Sequence, residues 1–233
     1  MTPIRHATAL LALGAALLAP AAQANDTIRK VIEEKFDMKV EKITKTDHLG
    51  LWEVFANGQI VYTDEKATTF FVGNIFDAKS GNNVTAKRLI AMLPTDLAVK
   101  QVRGNGKGLL ITFEDPNCGY CKKLARDIQK LKDITIYTYV VPILGEDSAV
   151  KTRAILCSSD RAKTWNDWMI SNVKPADAKA GCDPQTDRLV DAMQGFQFNG
   201  TPGLVFGDGS KAPGAIPVAE IEKRLAVVAK KGG

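Results

Sequence analysis

Histidine is almost missing from this chain. Only His6 and His48 occur in 233 residues, so Ser-His-Asp hydrolysis, Cys/His hydrolysis and His-rich metal centres would all depend on one of these two. His6 lies in a stretch read below as a removable leader. His48 sits in a polar turn, Thr46-Asp47-His48-Leu49-Gly50, far in sequence from every cysteine, and reads as an exposed loop residue. Aromatic residues make up only 7% of the chain, and the lysines behind its net charge of +5 are scattered. Without an aromatic-interleaved basic stripe the excess charge reads as a solvated surface, and nucleic acid is not an expected partner. Long apolar runs are missing as well. Ala7 to Leu18 is too short to span a bilayer as a helix, and no later run comes close.

That one run has a specific setting. Arg5 precedes it and Ala22-Gln23-Ala24 follows, which are the charged start and the small-residue cleavage site of a secretory signal. Residues 1–24 are therefore expected to be a signal peptide, and the mature chain to be soluble and exported.

Cysteine is scarce: Cys118, Cys121, Cys157 and Cys182 are all there are. An even count in an exported chain suggests two disulfides. Local geometry favours joining Cys118 to Cys121, which leaves Cys157 to close a loop with Cys182. Such a loop constrains the unfolded chain by ~3 kcal/mol on the chain-entropy account. A four-cysteine zinc site would be the alternative. Zinc ribbons bring two close Cys-x-x-Cys pairs, whereas Cys157 and Cys182 are 25 residues apart, so no metal is expected.

The close pair carries the chemistry. Cys118-Gly119-Tyr120-Cys121 follows an apolar run, Leu109-Leu110-Ile111-Thr112-Phe113, and precedes a helical pattern from Lys122 to Leu131. A strand that delivers a thiol onto a helix start places it where the helix dipole and free N–H groups favour its anion. The thiolate is the reactive form, so this placement builds a redox nucleophile.

The rest of the chain organises around that segment. Ile28, Val31, Ile32 and Phe36 recur at helical spacing, and Leu51 to Ala56 and Gln59 to Thr63 flank the hairpin signal Asn57-Gly58. Thr68 to Phe76 reads as a further strand. The N-terminal unit, residues 25–84, holds no residues for redox or hydrolytic chemistry. It is either an ordinary packed subdomain or, given its marginal size, a partner surface. Thr85 is the expected cap of a helix from Ala86 to Leu93, broken by Pro94. Residues 85–107 read as a linker helix and hinge, ending in Arg103-Gly104-Asn105-Gly106-Lys107-Gly108. From residue 108 to 233 the order is strand, helix, strand, helices, strand, strand, helix, an α+β pattern with Gly200-Thr201-Pro202 before its third strand.

Strand, Cys-x-x-Cys on a helix start, strand, helical insertion, Thr-Pro, hairpin and helix together resemble the thioredoxin fold. The run Phe113-Glu114-Asp115-Pro116-Asn117-Cys118-Gly119-Tyr120-Cys121-Lys122-Lys123-Leu124 is similar to the active-site run of periplasmic disulfide isomerases of the DsbC type. Gly200-Thr201-Pro202 is similar to their cis-proline loop, and Cys157 and Cys182 fall where they carry a structural disulfide. The resemblance covers essentially the whole mature chain. It implies a small α+β N-terminal dimerisation domain, a linker helix and a C-terminal thioredoxin-like fold with a helical insertion. It further implies a periplasmic homodimer that reshuffles misfolded disulfide-containing exported proteins, uses no cofactor, and takes electrons from a membrane thiol reductase of the DsbD type. Pro94 departs from a continuous linker helix.

The resemblance assigns Cys118 as the exposed attacking thiolate, Cys121 as its partner, and Gly119, Tyr120, Thr201 and Pro202 as the supporting active site. Cys118 attacks a wrong disulfide to give a mixed disulfide; a substrate thiol then displaces it, or Cys121 attacks Cys118 and releases reduced substrate. Around the pair, Lys122 and Lys123 either stabilise the thiolate or face solvent, and Tyr120 either tunes the pair or packs. Glu114 and Asp115 either take the proton that Cys121 loses or are solvated turn carboxylates. Trp165 and Trp168 read as core of the insertion. The alternatives are a thioredoxin-fold oxidase, whose members carry Pro-His between the cysteines, a thiol-protecting reductase and chaperone of the DsbG type, which tends to have Pro-Tyr there, and a chaperone that uses its thiols little.

Overall fold

The computed structural model describes residues 19–231; the apolar core of the expected signal peptide lies outside the described residues. The chain divides into two compact units. One runs to Ala56 and includes Val61–Phe71, and the other comprises Asn57–Ile60 and the chain from Val72.

In the first unit, helix α1 (Ala19–Phe36) precedes strands β1 (Val40–Lys45), β2 (Trp52–Ala56), β3 (Gln59–Thr63) and β4 (Phe70–Val72), in the sheet order β1-β2-β3-β4. Ala24, Ile28 and Ile32 recur every four residues, so one stripe of α1 packs on Val40, Trp52, Val54 and Val61. Asn57 and Gly58 both take positive φ, 47° and 70°, the conformation a tight hairpin turn demands. Strand β1 escapes sequence reading because a bulge between Val40 and Lys42 breaks its alternation. Strand β4 is shorter than the expected 68–76. The Asp64 carboxylate accepts hydrogen bonds from the backbone N–H of Lys66, Thr68 and Thr69, so the residues before Phe70 form a capped turn and donate nothing to a ladder.

The second unit begins its regular structure with α2 (Val84–Met92). Asn83, and not Thr85, caps this helix: its side-chain oxygen accepts from Ala86 N at 2.9 Å, while Thr85 Oγ1 is taken by Ile75 N. The helix ends before Pro94, which leads into a 3-10 turn over Thr95–Leu97. Strands β5 (Val99–Arg103) and β6 (Gly108–Glu114) follow, then α3 (Gly119–Asp127), β7 (Ile134–Val140), α4 (Glu146–Leu156), α5 (Arg161–Ser171), α6 (Thr186–Gly195), β8 (Gly203–Phe206), β9 (Lys211–Pro213) and α7 (Val218–Lys231).

The five strands order as β5-β7-β6-β8-β9, with β6 central, parallel to β7 and antiparallel to β8. Strand β5 lies inside the stretch expected to be linker and hinge. It pairs antiparallel with β7 from Val99↔Thr138 to Arg103↔Ile134, and only Gly104 to Lys107 is a turn. Its polar alternate residues mark an edge strand and hid it from a search for apolar runs.

Alternation along the central strands sets the chemistry of each face. Leu110, Ile134 and Ile136 pack with Leu124 of α3, Ile128 just after it and Ile221 of α7. Two and four residues on from Leu110, Thr112 and Glu114 continue the same face and put polar groups beneath the start of α3. On the opposite face Phe113 stacks on Tyr139 at 5.4 Å and meets Phe196 at 5.8 Å and Phe198 at 6.0 Å. Cys157, at the C-terminal end of α4, is bonded to Cys182 with a Cα–Cα distance of 6.1 Å.

Candidate active site

Strand β6 ends at Glu114, and after a turn over residues 115–118 the chain starts α3 at Gly119. The intervening turn is closed by Cys118 N donating to Asp115 O at 3.1 Å. Cys118 is the N-cap of α3, and its Sγ accepts from Cys121 N at 3.3 Å. The sulfur therefore occupies the position where a helix start offers a free donor and the positive end of its dipole. Both residues are free thiols, so the expected Cys118–Cys121 disulfide is not formed here, and the chain carries one disulfide rather than two among its described residues.

The two thiols differ in access. Cys121 is fully enclosed, whereas 7% of Cys118 is exposed; Cys118 is less open than the sequence reading held, because the helix start is flanked by the proline loop. Cys118 Sγ donates to Thr201 O at 3.4 Å. The Thr201–Pro202 peptide bond is cis, and Gly214 N donates to Pro202 O at 2.7 Å. A groove of about 590 Å³ opens beside the sulfur, lined by Ile143, Leu144, Val190, Met193, Phe198 and Thr201 among others. Gly203 lets the Phe198 ring close on β8, since a Cβ there would meet the ring at 2.7 Å. Of the two residues between the cysteines, Gly119 has open space where a side chain would stand and Tyr120 is 71% exposed.

Glu114 and Asp115 are not solvated turn carboxylates. Both are fully buried, for different reasons. Asp115 staples the redox turn: Oδ1 accepts from Asn117 N at 2.7 Å and Ser148 Oγ at 2.8 Å, and Oδ2 from Leu144 N at 2.9 Å. Glu114 Oε1 pairs with Thr112 Oγ1 at 2.8 Å, and that hydroxyl meets Thr138 Oγ1 at 2.9 Å. Oε2 has no hydrogen-bond partner among the described residues. Burial pushes the Glu114 carboxyl up to about 8, partly opposed by the Thr112 hydrogen bond. The Cys121 thiol is pushed well above the usual cysteine range, first by burial and then by the Glu114 carboxylate.

Trp165 is core of the insertion, with 1% of its surface exposed, but Trp168 is not. Only partly buried, it donates from Nε1 to Pro116 O at 2.6 Å, and Lys122 Nζ stands 3.8 Å from its ring centroid. Lys123 turns away and pairs with Asp127 on its own helix. A search for chemistry-bearing residue types passes over Trp168; its i, i+3 spacing from Trp165 was the only signal, and it pointed to packing. His48 remains in the β1–β2 turn, where its backbone carbonyl accepts from Leu51 N at 2.9 Å. No cluster of metal-ligating side chains occurs among the described residues.

Known proteins share this arrangement. A family model described as the disulfide bond isomerase protein N-terminal domain matches residues 18–86, and a thioredoxin-like domain model matches residues 95–229. A Bordetella pertussis protein named "Probable thiol:disulfide interchange protein DsbC" is 39% identical over 216 residues, 88% of this chain and 76% of the relative. The chain belongs to the DsbC family. The thiol:disulfide interchange protein DsbC of Escherichia coli strain K12 is 28% identical over 215 residues, 88% of this chain and 89% of that one. The crystal structure of a disulfide interchange protein from Neisseria gonorrhoeae superposes with a TM-score of 0.54 at 38% identity, over 57% of this chain and 96% of that one. As in the family models, a DsbC-type N-terminal domain precedes a thioredoxin-like one, and the second holds the Cys118–Cys121 pair.

Proposed function

We propose that this DsbC-family oxidoreductase isomerises, and when necessary reduces, incorrect disulfides in exported proteins, with Cys118 as attacking sulfur and Cys121 as the internal thiol that releases a trapped client. The observation that carries this reading is the asymmetry of the pair. Cys118 faces an apolar groove and the cis-proline loop, while Cys121 is sealed on the buried face of α3 next to a buried carboxyl. A client disulfide in the groove meets only Cys118. Its thiolate attacks one client sulfur, the other client sulfur leaves as a thiolate, and a mixed disulfide forms. A second client thiol then displaces Cys118 and creates the corrected bond, with no net change in electron count. Otherwise Cys121 attacks Cys118, the client leaves reduced, and Cys118–Cys121 becomes the disulfide. Gly119, Tyr120, Thr201 and Pro202 frame the sulfur, and Cys157–Cys182 braces the insertion.

The second path must be reset by two electrons from outside, which supports a membrane reductase of the DsbD type as donor and the periplasm as the compartment, reached through the signal at residues 1–24. The apolar groove supports a chaperone activity that accompanies exchange. Residues 25–84 serve as the dimerisation domain, residues 85–98 as the connection, and residues 99–233, which include β5 of the five-stranded sheet, as the catalytic domain. In support, β4 is an edge strand of its sheet with Phe71 about half-exposed, an edge suited to a second copy. Light scattering at micromolar concentration is expected to give twice the chain mass; a monomer would remove the dimer.

The function is tested by reactivating a protein with scrambled disulfides, using the pre-reduced chain and no other thiol. Recovery of client activity at an unchanged total of client disulfides is the expected result. A client that becomes reduced without regaining activity would replace the isomerase with a thiol-protecting reductase of the DsbG type.

A further inference from the structure

Two contacts join α5 to the redox segment, one on each side of the cysteine pair. Ahead of it, the Trp168 indole N–H donates to the carbonyl of Pro116, the central residue of the turn that delivers Cys118. Behind it, Lys122, the residue after Cys121, lays its ammonium on the same indole ring and donates to Asn172 Oδ1 at 2.6 Å; Asn172 ends α5. Lys151 of α4 adds a second ammonium 4.8 Å from the ring centroid and is ion-paired to Asp147. Asp147 Oδ2 accepts from Asn117 Nδ2 at 2.7 Å, one residue before Cys118. One indole thus receives a cation from α3 and a cation from α4 while it holds the turn between β6 and α3. The Trp168 position is therefore a hub and not merely core packing.

We propose that Trp168 is a positioning residue of the exchange reaction, which holds Cys118 in its reduced geometry. This rests on the reading that Cys118 and Cys121 are the redox pair. When the pair is a disulfide, the S–S bond itself fixes one cysteine to the other. When it is reduced, the Cys118 sulfur is held by hydrogen bonds to the Cys121 N–H and the Thr201 carbonyl and by the turn that carries it. A tether on that turn stabilises the reduced form more than the oxidised one. Its loss moves the equilibrium toward the disulfide and makes the pair a stronger reductant.

The equilibrium is measured directly with glutathione. Reduced pair plus one oxidised glutathione gives the Cys118–Cys121 disulfide plus two reduced glutathiones, two electrons and two protons passing together. Trp168→Phe keeps an aromatic ring for the two ammoniums and removes the N–H donor along with part of the ring surface. In the full chain, the constant for oxidation by glutathione is expected to rise about threefold to tenfold, the range set by losing one hydrogen bond from one side of an equilibrium. Trp165→Phe, in the core of the same helix, is expected to lower thermal stability and leave the constant unchanged. The change in tryptophan emission between reduced and oxidised protein is expected to vanish in Trp168→Phe and to persist in Trp165→Phe. Lys122→Met removes the other arm at a partly exposed site and is expected to shift the constant in the same direction. A parental constant in both Trp168→Phe and Lys122→Met, or an equal shift in Trp165→Phe, would overturn the positioning role alone. A parent protein whose pair does not equilibrate with glutathione would overturn both this role and the redox reading beneath it.

Discussion

A Cys121→Ser protein mixed with a client carrying wrong disulfides accumulates a covalent adduct through Cys118 that survives non-reducing electrophoresis, and Cys118→Ser brings exchange down to the uncatalysed background. Both results follow from the geometry of the pair. A groove opens beside Cys118 where a client sulfur is expected to dock, and the serine hydroxyl at position 118 offers no thiolate to attack it. The remaining thiol in that variant, Cys121, is sealed and held in its neutral form, so it does not substitute. In Cys121→Ser the first attack is intact, but the internal route of escape is gone. The adduct then leaves only when a client thiol finds it, and uncatalysed rearrangement of that kind takes minutes to hours. Adduct yield, measured as the mass of Cys118-linked client, decides the assignment. An absence of adduct in Cys121→Ser, or residual exchange in Cys118→Ser, would reverse or remove the roles given to the two sulfurs.

Much of this site is legible in the sequence because it is local. Cys118-Gly119-Tyr120-Cys121 sits between an apolar run and a helical pattern, and those few residues dictate strand, turn, cap and thiol. Gly200-Thr201-Pro202 is informative only jointly with them, since one Thr-Pro step says little about where it packs. What the sequence hides is set by partners distant along the chain. Glu114 looks like a turn carboxylate until Leu110, Thr112 and Glu114 are seen to share the face beneath α3. Asp115 looks solvated until Leu144 and Ser148, some thirty residues on, turn out to donate to it. Strands β1 and β5 were lost for another reason. A bulge and an exposed edge face erase the alternation that marks a half-buried strand. Trp168 was misplaced because helical spacing from Trp165 reports which residues are neighbours and not which carbonyl the indole reaches.

The buried carboxyl beneath the pair has an expected cost and an expected use, and Glu114→Gln separates them. In the unfolded chain a glutamate ionises near 4.5, whereas burial holds Glu114 up to about 8 in the folded protein. Between those values the folded state binds the extra proton, so stability falls as pH rises from about 4.5 to about 8 and levels off above. Glu114→Gln cannot ionise and removes that slope. Its free energy of unfolding from denaturant titration is therefore expected to exceed the parent's at pH 8, by on the order of a few kcal/mol, and to match or fall slightly below it at pH 4. The kinetic effect runs the other way. Cys121 must lose its proton before it can attack the mixed disulfide, and the sealed site offers the ionised fraction of Glu114, which grows as pH rises toward about 8, as the acceptor. The Glu114 carboxylate raises the cost of ionising Cys121, so a proton lost by the thiol passes to that carboxylate and need not reach solvent. Without that acceptor, release of client from Cys118 is expected to slow about a hundredfold, the lower end of what a positioned base contributes, while the first attack by Cys118 keeps its rate. A variant stabilised at high pH but slow to release client would show that the fold tolerates an unfavourable carboxyl because the second sulfur needs it. An unchanged pH slope would mean that Glu114 is ionised in the folded chain, and an unchanged release rate would mean that the Cys121 proton leaves by another route.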